Sequence, residues 1–408
     1  MKRKLTNNEK IQFEYLLKVI SSAINNTSAP VPYEGINWER FLMIATDCGV
    51  GAIFANTILT LSKEHLPPKE ICEKLKHLAA SSLILDTTLL YEIEKVLKKF
   101  DEYKIKNVPV KGYFLKNEYP RTDYRSVSDF DILFKKEQLD DVKKALAQIG
   151  FEYLLKADNQ YHFQKKPYMY IEMHETLVHD YESYYPYLVD QIDRTQKRDG
   201  YEFSYEMSLE DHYMYMLVHN SNHLRKGGLS IRMLLDIYVF CKNHKDDFNY
   251  DYLNARLKLF KLEKFEKKIK EIAFNWFSTE APKVSYDDLE SFILMSGVFG
   301  RVSTGVMIES HKMIKNAEKE GKKKSKLSFF ISSLFPKKDF MIIKYPYLEK
   351  YPFLLPCTWI SMWFKRVFIE KNVHFKQGVK NRMSYSDDDV KFYKGILNKL
   401  GFDDFNFE

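Results

Sequence analysis

Cysteine is scarce in this chain of 408 residues: Cys48, Cys72, Cys241 and Cys357 stand far apart, and none belongs to a Cys-x-x-Cys pair. That spacing implies neither a zinc knot nor a disulfide framework, and it fits a reducing cytoplasm. Long apolar runs are missing too. The chain starts Met-Lys-Arg-Lys and continues polar, without the apolar stretch of a signal peptide, and no segment reaches the length of a spanning helix. A soluble, cytoplasmic protein is the expectation. The nearest approach to an apolar run, residues 353–368, is broken by Pro356 and then by Lys365 and Arg366. It reads as a buried segment, with contact to a membrane surface as the alternative. A large excess of one charge is also absent. A formal charge of +7 favours anionic partners, nucleotides and tRNA alike, but falls short of a dedicated nucleic-acid binder.

What is present is globular: 45% hydrophobic and 15% aromatic residues, over a length that predicts two or three packed units. The chain is organised around Val108 to Phe134, VPVKGYFLKNEYPRTDYRSVSDFDILF. This reads as a short strand, Lys-Gly, a helical turn over Tyr113 to Asn117, a loop with two arginines, and a second strand opening Asp-Phe-Asp. Alternation puts Asp129 and Asp131 on one face of that strand, where two carboxylates can share a metal ion. Phosphoryl chemistry needs such an arrangement, because hard oxygen ligands hold the Mg²⁺ that neutralises a triphosphate. Gly112, between strand and turn, would let backbone N–H groups approach phosphates, Lys111 adds a point charge, and Arg125 is placed to meet a phosphate. Downstream, the strand-like Tyr168 to His174 carries Glu172 as a third carboxylate, for the metal or for the hydroxyl proton. His174 shares its face in a supporting role, and Glu175 faces the other way.

These residues, VPVKG, YP, YRSVSDFDILF and IEMHETL, resemble the polymerase-β-like nucleotidyltransferase superfamily and, within it, a bacterial group of uncharacterised nucleotidyltransferases. The resemblance covers residues 36–241 and again residues 334–356. It implies an α/β (α+β) fold, with a small mixed β-sheet nucleotidyltransferase core flanked by helical regions at both ends. It also implies a metal-dependent enzyme that moves a nucleoside monophosphate from a nucleoside triphosphate to a hydroxyl, using Mg²⁺, with Mn²⁺ as the alternative. Carried over residue by residue, Asp129, Asp131 and Glu172 are the catalytic and metal-binding acids. Lys111, Gly112, Arg125, Ser128 and His223 form the expected nucleotide-binding set. Tyr113 stands where many superfamily members have a small residue. The acceptor is left open among a small molecule, a protein and tRNA. A toxin-like enzyme acting on tRNA and an inactive nucleotide-binding scaffold are the rival readings.

The organisation expected is an N-terminal helical region over 1–100, the core over 101–180, a helical region lining the cleft over 181–280 and a mainly helical region over 281–408. Pro67-Pro68 starts one helix, and residues 83–100 read as another. After the Asp-x-Asp strand come a helix over 136–148 and strands at 151–155, 161–164 and 168–173. His219 and His223 have the spacing of a zinc pair but lack the Glu of a metalloprotease, and with Arg232 they are candidates to line the cleft. Arg232 and Asp236, one turn apart, also fit an intrahelical ion pair. Asp287-Asp288 and Asp387-Asp388-Asp389 read as helix starts, and the lysine run 319–326 as an exposed loop. Three crowded carboxylates repel without a metal, so Asp131→Asn is expected to melt no lower than the parent in chelator.

Overall fold

In a computed structural model of the chain, the structure describes residues 4–167, 169–297, 304–305, 307–308, 335–338, 341–342, 345, 347–364 and 386–402. The lysine run 319–326 and parts of the stretch 334–356 lie outside them. The chain divides into two compact units. The larger comprises Leu5–Asn222 and Ser230–Glu290, and the smaller comprises Met1–Lys4, His223–Leu229 and Ser291–Glu408. Apart from residues 1–4, the first two regions expected from sequence thus fall within the larger unit, together with most of the third.

The larger unit opens with helix α1 (Asn7–Ile24), started by a capping box in which Thr6 and Glu9 satisfy each other's backbone N–H. Helices α2 (Trp38–Asp47) and α3 (Gly51–Ile58) follow, with the Asn37 side chain capping α2. Helix α4 (Lys69–Glu102) is one continuous element of 34 residues where the sequence reads two. No Gly or Pro interrupts it after Pro68, so nothing breaks the backbone ladder. The apolar residues Leu83, Ile84 and Leu85, which mark the second segment in the sequence, are exposed.

A five-stranded mixed sheet packs against the second half of α4. Its strands are β1 (Asn107–Pro109), β2 (Phe130–Phe134), β3 (Glu152–Ala157), β4 (Gln160–Lys165) and β5 (Met169–His174), in the order β1-β2-β5-β4-β3. Only the β2–β5 pair is parallel. Alternation sorts the side chains into two faces. Phe130, Ile132, Phe134, Tyr161, Phe163, Met169, Ile171 and Met173 form a core with Ile93, Val96, Leu97 and Phe100 of α4, and with Val142, Ala145 and Leu146 of helix α6 (Leu139–Gln148). The i, i+3, i+4, i+7 spacing on α4 matches one stripe of a 3.6-residue period. The opposite face carries Asp131, Glu172, His174 and His162. Between β1 and β2 lies the single turn α5 (Gly112–Leu115).

The later part of the larger unit is helical. It contains α7 (Tyr185–Leu188), most of α8 (Leu209–Lys226), α9 (Ile231–His244), α10 (Tyr250–Phe260) and α11 (Glu263–Phe277). Ser208 caps α8 through the backbone N–H of Asp211, and Ser230 caps α9. Both acidic clusters begin helices. Asp287 accepts from the Glu290 backbone at the start of α12 (Asp288–Leu294), and Ser386 with Asp389 forms a capping box. In the smaller unit, residues Leu355–Phe364 form a helix, yet Phe353, Ile360 and Phe364 are exposed, so this segment is not the buried one expected.

The two-faced sheet makes stability sensitive to one face. Ile132→Ala, in the fully buried core, should lower unfolding free energy by about 2–5 kcal/mol, whereas Leu154→Ala on the exposed strand β3 should stay within about 0.5 kcal/mol. Urea denaturation followed by circular dichroism measures both.

Candidate active site

The parallel register of β2 and β5 sets Asp131 opposite Glu172 and Leu133 opposite His174. Across the next pair, β4 sets His162 opposite Glu172. Adjacent strands lie about 4.8 Å apart, so these side chains converge on one face. One oxygen of Asp131, Oδ1, accepts from Lys111 Nζ at 2.6 Å and from His174 Nε2 at 2.7 Å. His174 Nε2 is also 3.7 Å from Glu172 Oε2, and His162 Nδ1 is 3.5 Å from Glu172 Oε1. Among the described residues, ligand atoms of Asp131, Glu172 and His174 come within 4.8 Å of one another, close enough to share a cation.

The charges on this face are compensated unequally. Burial would push the Asp131 carboxyl up, but the Lys111 ammonium and the hydrogen bond from His174 outweigh it and hold the group well below the usual carboxylate range. Burial, and then repulsion from Lys111, keeps His174 neutral, so its contact with Asp131 is an imidazole N–H donating to a carboxylate. For Lys111, burial opposes the ammonium while Asp131 more than restores it. Glu172 bears the uncompensated repulsion: burial first, then Asp131 and Asp129, push its carboxyl up to about 7. The sequence expectation that Asp131 is the strained acid is therefore corrected. Asp131 has two donors and is stabilising, and the strain of crowding falls on Glu172.

Lys111 reaches Asp131 from a backbone position with φ 53°, a left-handed conformation that costs a non-glycine residue about 1–3 kcal/mol. Gly112 is buried, and a Cβ there would lie 2.9 Å from Val127 Cγ2, so the glycine permits close packing of the turn. Asp129 lies just before β2 instead of within it, and it acts on Glu172 electrostatically. The Ser128 hydroxyl donates to Asp129 Oδ1 at 2.9 Å, orienting the acid. Arg125 pairs with Asp236 through Nε at 2.8 Å. This displaces the intrahelical Arg232–Asp236 pair expected from the spacing. His223 belongs to the smaller unit, so the site described in the larger unit is built without it. Two neighbours escaped sequence reasoning. His162 touches Glu172 only through the β4–β5 register, and Tyr215, buried on α8, interacts with Lys111, Asp131 and Glu172. The alternation of β4 carries a signal for His162, since it shares a parity with Gln160 and Gln164 against the buried Tyr161 and Phe163.

Residues 34–278, more than half of the chain, match the family described as uncharacterised nucleotidyltransferase. The chain belongs to that family. The nucleotidyltransferase match spans the whole sheet and helices α8 to α11, and so includes every acid and base of the site. Among solved structures, the antibiotic-resistance factor ANT(2'')-Ia is similar over 43% of this chain and 92% of its own, with 12% identity and a TM-score of 0.34. No curated protein matches the chain. No helix among the described residues is long and apolar enough to cross a membrane.

The unequal compensation can be read in stability. Because the folded protein keeps the Glu172 proton that the unfolded chain has already lost, metal-free stability should fall as pH rises from about 4.5 to about 7, by roughly 3 kcal/mol at most, and then level off. In chelator at about pH 8, Glu172→Gln should melt above the parent, and Asp131→Asn should be less stable than the parent by roughly 1–3 kcal/mol. Thermal melts across the pH range check both directions. A parent with no such slope would contradict the assignment to Glu172.

Proposed function

We propose that this nucleotidyltransferase-family chain transfers a nucleoside monophosphate from a nucleoside triphosphate to a hydroxyl-bearing acceptor, with Asp129, Asp131 and Glu172 as its acids. The observation that carries the reading is the register pairing of Asp131 with Glu172 on one polar sheet face. The donor set suits a hard divalent cation, since carboxylate oxygens are the preferred ligands of Mg²⁺ and Mn²⁺. Asp131 and Glu172 would hold it, with Asp129 beside them and His174 orienting Asp131 by its N–H. When bound, the ion supplies neutralisation of charge on the triphosphate.

The chain's own residues account for the rest. In the transfer, the acceptor oxygen forms a bond to the α-phosphorus, the bond from that phosphorus to the bridging oxygen breaks, and its electron pair leaves with pyrophosphate. The acceptor's proton goes to a base. In the metal-free fold burial and the neighbouring acids push Glu172 up to about 7; holding the cation would keep it ionised, so taking the acceptor's proton is its alternative to ligating the ion. Lys111 brings a positive charge to the same face, and Gly112 fixes the turn from which it reaches. Ser128 holds Asp129 in orientation. A nucleotide-binding protein without turnover is the second reading, and one observation favours it: Lys111 already neutralises Asp131.

The experiment is to incubate the purified protein with each α-labelled nucleoside triphosphate, Mg²⁺ and a cell extract, and to separate labelled RNA, protein and small molecules. Chelator should abolish labelling, and Asp131→Asn should reduce it by about 10²-fold or more. Equal labelling by the parent and Asp131→Asn would overturn the site. Metal-dependent nucleotide binding without any labelled acceptor would favour the second reading.

A further inference from the structure

Four side chains beside the acids carry a charge balance that the transfer site does not yet use. The Asp236 carboxylate, buried on α9, accepts at Oδ1 from Tyr119 Oη at 2.7 Å and from Arg125 Nε at 2.8 Å. Arg125 Nη1 donates to the Ser126 carbonyl at 2.7 Å. Arg232, also on α9, reaches the same residue, its Nη1 donating to Ser126 Oγ at 3.3 Å. Two guanidinium groups thus meet at Ser126, and the Asp236 carboxylate is bonded to Arg125. The Arg232 Nε is buried without a hydrogen-bond partner among the described residues.

A buried guanidinium N–H without a partner is unfavourable, and two guanidiniums brought together repel. Burial, and then Arg125, bring the Arg232 pKa down to about 10, the mark of a positive charge that the folded protein leaves under-neutralised. Both arginines interact electrostatically with Asp129, within the same unit. Such an arrangement is relieved by an anion with several oxygens, which a planar guanidinium grips through paired N–H groups. We propose that Arg125 and Arg232, meeting at Ser126, form the subsite for the pyrophosphate end of the nucleoside triphosphate, with Arg232 as the gripping arm and Arg125 fixed in place by Asp236. This rests on the nucleotidyl-transfer reading and deepens it. The charge released when the bridging bond breaks stays on pyrophosphate, and the subsite stabilises it there while the acids attend to the α-phosphate.

Inorganic pyrophosphate, titrated calorimetrically into the full chain without divalent metal, tests the subsite apart from the chemistry. The parent should bind, a nucleoside triphosphate should compete, and Arg232→Gln should weaken binding about ten- to hundredfold. Arg232→Lys, which keeps the charge, should recover part of it. Without ligand, Arg232→Gln should melt at or above the parent, because it removes an uncompensated charge. Asp131→Asn should still bind pyrophosphate while losing transfer, so a failure of the subsite is distinguishable from a failure of the acids. The proposal is overturned if the parent does not bind pyrophosphate, if Arg232→Gln binds it as the parent does, or if Arg232→Gln and Arg232→Lys both melt well below the parent, which would make Arg232 a structural strut. Binding without competition by the triphosphate would move the subsite to a phosphate on the acceptor and overturn the leaving-group assignment.

Discussion

The parallel pairing of β2 with β5 is the constraint from which the rest of the larger unit follows. One side of that pair must be apolar, because α4 and α6 cover it with Ile93, Val96, Leu97, Phe100 and Leu146. Strand alternation then forces Asp131 and Glu172 to the other side, in register and about one strand spacing apart. Two carboxylates held so close in a partly buried place need compensation, and each polar neighbour supplies some of it. Lys111 and His174 serve Asp131, His162 stands by Glu172, and Ser128 orients Asp129.

Because the compensation is uneven, the same pair of acids acquires two different characters. Without a metal, Lys111 and His174 outweigh burial and hold the Asp131 carboxyl down, whereas burial and the neighbouring acids push Glu172 up to about 7. Environments that drive two titratable groups apart commonly mark a division of labour between a permanent anion and a proton acceptor. The arginines repeat the pattern with opposite sign: Arg125 is matched by Asp236 and Arg232 is not. In both like-charged pairs, then, one member is settled by the fold and the other is left responsive.

Much of this was legible in the chain itself. The run Asp-Phe-Asp-Ile-Leu-Phe shows its faces by alternation, and Tyr-Ile-Glu-Met-His does the same, so Asp131, Glu172 and His174 could be put on polar faces before any strand was paired. What was not legible depends on partners distant in sequence. Nothing local says that Asp236 is taken by Tyr119 and Arg125, more than a hundred residues away, and so the one-turn spacing pointed to Arg232 instead. The start of β2 one residue later than expected takes Asp129 off the strand, since the β1 and β5 partners pair only from Phe130 onward. The packing of Val127 against Gly112 is likewise a tertiary fact that no local pattern carries.

Lys111 combines two demands in one residue. Its backbone adopts a conformation that glycine would take without strain, and its side chain supplies the ammonium on Asp131. Lys111→Gly would therefore relax the turn while leaving a buried carboxylate with one donor fewer, and a residue that keeps the charge keeps the strain. Stability and charge placement pull against each other at this position, so its side chain is not free to drift toward the residue the backbone would prefer. The turn before β2 is thus a place where natural variation should be narrow for a reason of geometry alone, whatever nucleotide or acceptor the enzyme serves.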